Sequence, residues 1–181
     1  MKRYNLTVLI IILSLIISCF NNKKSEIEID EKNIAGKPEV NKVKVRNYGS
    51  RIVGFVDMPE DWYEFKDPDA TQNAVQLALS PYNIITLDIL SVDKQITAEQ
   101  ASESSYEGFM ELGISKNDIM KNDVEINGYK GKQLVVKLSD GRELTINYID
   151  YDGKVYYIAL EGSPAEKLKL EAVVNTWNPD K

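Results

Sequence analysis

The sequence predicts an α+β domain in which helices flank an antiparallel β-sheet. Apolar side chains recur at period two in short runs, among them Val75/Leu77/Leu79, Ile85/Leu87/Ile89 and Tyr156/Ile158/Leu160. The two-residue turn pairs Asn127-Gly128, Asp140-Gly141 and Asp152-Gly153 separate the later runs, and such turns join antiparallel strands. Two further segments carry helix-start signatures.

The folded part is expected over residues 42–181, as one domain. Val43 and Val45 alternate with Lys44 and Arg46, and Asn47-Tyr48-Gly49-Ser50 reads as a turn. A strand over 51–58 follows and is stopped by Pro59. Residues 73–80 form a strand with Val75, Leu77 and Leu79 on one face. Pro81-Tyr82-Asn83 turns the chain, and 84–92 returns with Ile85, Leu87 and Ile89 together. Thr97 then caps a helix, and Gln100 completes a capping box. That helix runs to about Leu112 with Gly113 as its stop, and Phe109 and Leu112 belong to its buried stripe. Val124-Glu125-Ile126 leads into Asn127-Gly128.

Strands over 132–139, 142–150 and 154–160 form a meander. Their single-face sets are Leu134/Val136/Leu138, Leu144/Ile146/Tyr148 and Tyr156/Ile158/Leu160. The closing helix has Ser163 as cap, Pro164 at its first position and Glu166 three residues after the cap. Leu170, Val173, Val174 and Trp177 follow at i, i+3, i+4, i+7, so one face docks on the sheet.

The bulk chemistry excludes several function classes. The chain has 181 residues, 28% of them charged, with a net charge of −6. Lys and Arg are scattered among Asp and Glu, which leaves no basic stripe for nucleic acid or for an acidic membrane surface. There is no histidine and a single cysteine. An intramolecular disulfide, a Cys-His pair, a Ser-His-Asp triad and a His-containing zinc site are therefore all impossible. No GxSxG, HExxH, GxGxxG or phosphate-cradling Gly-rich loop is present, and no pair of carboxylates is singled out by spacing. The expectation is a protein that is not an enzyme, with no catalytic residue, cofactor or metal ligand to assign.

The lone Cys19 has another use. Lys2 and Arg3 precede an apolar run over 6–17, broken only by Thr7 and Ser14. A membrane span needs about 20 residues, so this run fits a secretory signal core instead. It ends in Ile16-Ile17-Ser18-Cys19, which resembles the lipobox of bacterial lipoproteins. The resemblance implies a lipoprotein signal peptide over 1–18, cleavage after Ser18, and a diacylglycerol thioether on Cys19 with palmitate incorporation. The other readings are an ordinary cleaved signal with a chance cysteine, or an uncleaved anchor. Residues 19–41 are expected to be the lipidated cysteine and a flexible tether, polar, mixed in charge and broken by Gly36 and Pro38. The implied address is the bacterial cell envelope, at the outer membrane or the outer face of the cytoplasmic membrane.

Two stretches carry a second resemblance. Met58-Pro59-Glu60-Asp61-Trp62 at a strand end, and Asn127-Gly128-Tyr129-Lys130-Gly131 before a meander and a closing helix, are similar to the Mog1/PsbP-like domains. Bacterial members of that superfamily include lipoproteins of the DcrB type. The resemblance implies an α/β/α sandwich around an antiparallel sheet and an accessory or interaction role; it transfers no catalytic residues.

Three constellations have competing readings. Asp150, Asp152 and Gly153 match positions of a calcium loop, but Tyr148 and Ala159 stand where carboxylates are required, so the stretch reads as a hairpin turn. In 57–69, six acids are interleaved with Trp62, Tyr63 and Phe65. Either Trp62 plugs the core beside Pro59 while the acids are solvated, or the segment docks a partner or holds a cation. Tyr148, Tyr151, Tyr156 and Tyr157 suit either an interface or half-buried strands. Trp62, Tyr63, Tyr148 and Tyr151 are thus the candidate partner-docking residues. The expected function is a membrane-anchored, non-enzymatic module that binds an envelope protein. A small-ligand or divalent-cation binder is the alternative, and a carboxylate-based hydrolase the third.

Overall fold

The computed structural model describes residues 44–91 and 96–181. The expected signal peptide, Cys19 and the tether lie outside the described residues, as do Val43 and Val92. The strands are β1 (Val45–Ser50), β2 (Gly54–Pro59), β3 (Tyr63–Phe65), β4 (Val75–Ser80), β5 (Asn83–Ser91), β6 (Ile119–Ile126), β7 (Tyr129–Lys137), β8 (Glu143–Tyr151) and β9 (Lys154–Gly162). The helices are α1 (Ala98–Glu111) and α2 (Lys167–Val174). β3 to β9 form one seven-stranded sheet in the order β3-β4-β5-β9-β8-β7-β6, with every neighbouring pair antiparallel. β1 and β2 make a separate hairpin.

The centre of the sheet is covered on both faces, and the central strand β9 is apolar on both: Val155, Tyr157 and Ala159 face one core, Tyr156, Ile158 and Leu160 the other. One core joins β2, α2 and Trp177 to Leu77, Ile85, Leu87, Ile149, Tyr156, Ile158 and Leu160. The other joins α1 to Leu134, Val136, Leu144, Ile146, Tyr148 and Tyr157. The result is the expected α+β architecture, with the hairpin and α2 on one side of the sheet and α1 on the other.

Turn chemistry sets the meander. Asn127 and Gly128 have φ of 49° and 88°, and Asp152 and Gly153 have 46° and 75°. Two positive φ values in succession match the right-handed twist of the strands they join.

The ends of α1 are as expected. Thr97 accepts the Gln100 N–H at 3.2 Å, and the Gln100 side chain accepts the Thr97 N–H at 3.0 Å. At the other end Gly113 takes φ 85°, its N–H reaches the Met110 carbonyl, and the Ile114 N–H reaches that of Phe109. Replacing Thr97 by Ala removes the cap and should cost about 1 kcal/mol, read as a lower urea midpoint at unchanged slope.

Four expectations on local structure are corrected. Asn47-Tyr48-Gly49-Ser50 is not a turn but the last four residues of β1; Ser50 pairs with Gly54 and the chain reverses between them. Gly49 serves close approach instead, since a Cβ there would sit 2.1 Å from the Gly54 carbonyl oxygen. Leu112 is exposed, because the Gly113 reversal ends the stripe and packs Ile114 against the core in its place. Ser163 does not cap α2. β9 continues to Gly162, the Ser163 N–H is taken by Asn83 Oδ1 at 2.9 Å, and a single turn intervenes before Lys167. β6 begins at Ile119, five residues before the expected run; its middle is exposed and charged, as suits a sheet edge.

Candidate functional site

The structure separates the four candidate docking residues. Trp62 is only 6% exposed and belongs to the α2-side core, as the core-plug reading has it. Tyr148 is fully buried under α1, where its hydroxyl donates to Ser105 Oγ at 2.6 Å and burial pushes its titration upward. Neither side chain is available to a partner. Tyr63 lies on the edge strand β3 and is 42% exposed. Tyr151 is half-buried, and its hydroxyl donates to Asp180 Oδ2 at 2.5 Å. That bond is the first cause, ahead of burial, that pushes the Tyr151 phenol up to about 12.

Tyr151 belongs to an aromatic chain that reaches the core. Its ring meets Tyr129 edge-on at 4.9 Å, Tyr129 meets Trp177 at 5.4 Å, and Trp177 meets Tyr156 at 5.0 Å. Tyr129 also donates to Asp180 Oδ2, at 3.2 Å. The tyrosines around the last hairpin therefore divide between core packing and holding the C-terminal residues in place.

The acidic 57–69 segment is dispersed. Asp57 bonds Lys181 at 2.5 Å, Glu64 pairs with Arg46 at 3.5 Å, and Asp67 is buried with its N–H on Gln76 Oε1. Among the described residues, no three acidic or cysteine side chains are gathered in a way that could hold a metal ion. The calcium-like stretch is the β8–β9 hairpin, and Asp150 is spent on α1: both its oxygens accept the Ala98 N–H, each at 3.0 Å. A carboxylate there satisfies a first-turn donor and faces the positive end of the helix.

Beyond that helix start, the α1-side face of the sheet is open. An open groove of about 610 Å³ is lined there by Glu99, Asp123, Glu125, Lys130, Lys132 and Asp150. Lys132 bridges Glu99 at 2.6 Å and Asp123 at 2.8 Å, and these bonds raise its proton affinity. A second groove of about 380 Å³ adjoins across Asp150 and is lined by Thr97, Tyr151 and Lys154. Interleaved charges of both signs, with one phenol ring at the rim, suit a polar protein surface better than an apolar ligand. Sequence reasoning missed Asp123, Lys130 and Lys132. The available signal was alternation: Lys121, Asp123 and Glu125 share one face of β6, and Lys130 and Lys132 continue the face of Leu134 and Val136.

No helix among the described residues is long and apolar enough to cross a membrane. Comparison with family models and with curated proteins finds no match. Solved structures do match in fold. The solution structure of the cyanobacterial PsbP from Synechocystis sp. PCC 6803 aligns at TM-score 0.56 and 11% identity, over 80% of this chain and 98% of that one. A Bacteroides thetaiotaomicron crystal structure aligns at TM-score 0.49 and 10% identity, over 75% and 48%. LpqN of Mycobacterium tuberculosis, described as involved in cell envelope biogenesis, aligns at 0.40 and 13%, over 76% and 88%. The first of these shows the fold of the described residues to be PsbP-like, as the strand-end Trp62 motif and the Asn127-Gly128 stretch imply.

Proposed function

We propose that this PsbP-like domain is a lipid-anchored, non-enzymatic binding or accessory module of a bacterial cell envelope. The observation that carries the anchoring is the order Lys2-Arg3, apolar 6–17, Ser18, Cys19. Lipid on Cys19 would supply two or more acyl chains, where one chain alone binds a membrane only marginally. The expected tether after Cys19, some twenty mostly polar residues over 20–41, has a typical reach of about 25 Å and would hold the domain near the headgroups without embedding it.

Binding is assigned to the mixed-charge grooves flanking the start of α1, with Tyr151 on the rim and an envelope protein as partner. Trp62 and Tyr148 have no part in it, because both side chains are in the core. Charges at a rim act mainly on encounter and on the choice of partner. The test is chemical crosslinking of the full-length protein in intact membranes, followed by isolation. The expected result is a discrete protein adduct, reduced about tenfold in the Lys130→Glu/Lys132→Glu double variant. Adduct yield equal in wild type and double variant contradicts the groove. No adduct above background contradicts the binding role.

A further inference from the structure

The connection between β3 and β4, residues 66–74, lies over the α1-side face of β4 and β5, beside the part of the sheet that α1 packs on. Its composition is KDPDATQNA, with no apolar side chain larger than proline, and Asp67 is its one buried residue. Hydrophobic burial therefore does little to hold it down. Two hydrogen bonds to side chains rising from the sheet do that instead. Gln76 Oε1 accepts the Asp67 N–H at 2.7 Å, and Asp88 Oδ2 accepts the Thr71 hydroxyl at 2.7 Å. Beneath it the Gln76 amide also donates to Thr86 Oγ1 at 3.1 Å, beside a cavity of about 20 Å³, room for one water.

Asp88 is the unusual member of this set. It is 3% exposed, and among the described residues its carboxylate receives the Thr71 hydroxyl and the Ile89 N–H. Among the described residues no lysine or arginine forms an ion pair with it. Its register partner on β9 is Tyr157, whose hydroxyl is buried without a hydrogen-bond partner. Tyr148 of β8 stands behind Tyr157 and is bonded to Ser105 of α1. Farther along β9, Glu161 is matched to Arg142. The 66–74 segment itself adds the acids Asp67 and Asp69 and the exposed Lys66, which forms no ion pair with Asp88. Among the described residues the surroundings thus offer an ionised Asp88 two hydrogen bonds and no ion-pair partner, so its ionised form is disfavoured while the segment is closed.

We propose that residues 66–74 form a strap that is closed over β4 and β5 when Asp88 is protonated and released when Asp88 is ionised, uncovering a polar patch of Gln76, Thr86 and Asp88. Burial raises the proton affinity of Asp88 in the closed form, ahead of the opposing hydrogen bonds from Thr71 and Ile89. Closure is therefore fully supported below the ordinary carboxylate range and is lost as pH rises through the closed-form value. The strap is independent of the lipid anchor and of the groove at the start of α1.

The test is hydrogen–deuterium exchange of the full-length protein at pH 4 and pH 8, corrected for the intrinsic chemical rate. The reporters are the hydrogen-bonded amides of Asp67, Asp69, Ala70 and Ala74. In wild type their protection should fall by more than about twofold between the two pH values, the direction set by a carboxyl whose proton affinity is raised in the closed form. Amides of β8 should hold their protection. Asp88→Asn keeps a neutral partner for Thr71 and should change by less than about twofold. Thr71→Ala sits on the strap and should exchange fast at both pH values. Equal wild-type protection at both pH values overturns the proposal, as does a pH response that persists in Asp88→Asn. If Asp88→Asn fails to fold, a pH response of undiminished size in Thr71→Ala overturns it.

Discussion

Trp177→Ala should lower the unfolding free energy by about 3–5 kcal/mol, the largest stability loss expected of a single truncation in this domain. The side chain is fully buried just beyond α2 and connects three parts of the fold. Its indole N–H donates to the Val53 carbonyl at 3.0 Å, holding the turn between β1 and β2. Its ring packs edge-on against Tyr129 and Tyr156, and so ties the hairpin to the sheet. The fit is close on the hairpin side as well. A Cβ at Gly54, which has φ 82°, would approach the Trp177 Nε1 to 2.5 Å. Domains of this kind have about 5–15 kcal/mol in all, so the variant should be largely unfolded at modest urea. Trp177→Phe keeps most of the ring packing but orphans the Val53 carbonyl, and should cost about 1–3 kcal/mol. Urea titration followed by circular dichroism measures both. A loss under about 1 kcal/mol for Trp177→Ala would show that the hairpin and α2 are not joined as described.

Cys19→Ser should move the protein from the membrane fraction to the soluble fraction and abolish palmitate incorporation. The effect is near all-or-none because each buried methylene contributes about 0.8 kcal/mol to anchoring, and losing the sulfur loses every chain carried by the diacylglycerol. The remaining apolar run, 6–17, is too short to replace it, since a span needs about 20 residues. The net charge of −6 gives the rest of the chain no electrostatic hold on anionic lipid. Membrane fractionation after a high-salt wash reads the first outcome, and labelling with a clickable palmitate analogue reads the second. A serine variant that stays in the membrane with labelling unchanged would contradict the anchor.

Local signals were legible where one short stretch determines its own geometry. Thr97, Gln100 and Gly113 define both ends of α1 from residues within a turn of each other. Asn127-Gly128 and Asp152-Gly153 accept positive φ values at low cost, so each names its hairpin. The face sets Ile85/Leu87 and Leu144/Ile146/Tyr148 fall in opposite cores because period-two alternation leaves no freedom once a strand forms.

Other features depend on distant residues. Gly49 resembles a turn glycine until Gly54 is brought against it. Ser163 resembles a cap until Asn83, 80 residues earlier, takes its N–H. Trp62 and Tyr63 are neighbours of similar character, and only the path of β3 sends one inward and the other to the edge. The groove is assembled from Glu99, Asp123, Lys132 and Asp150, which no sequence window contains. The Thr71–Asp88 bond is likewise invisible without the pairing of β4 with β5.

The mass of the mature protein tests the anchoring most directly. Full-length protein expressed in a bacterial host, extracted from membranes in detergent and measured intact, should weigh as a chain starting at Cys19 plus a diacylglyceryl group, with or without a further acyl chain. Its N-terminal peptide should carry that added mass on Cys19. A chain that retains Met1, or one that starts elsewhere with an unmodified Cys19 or none, would contradict the lipid anchor.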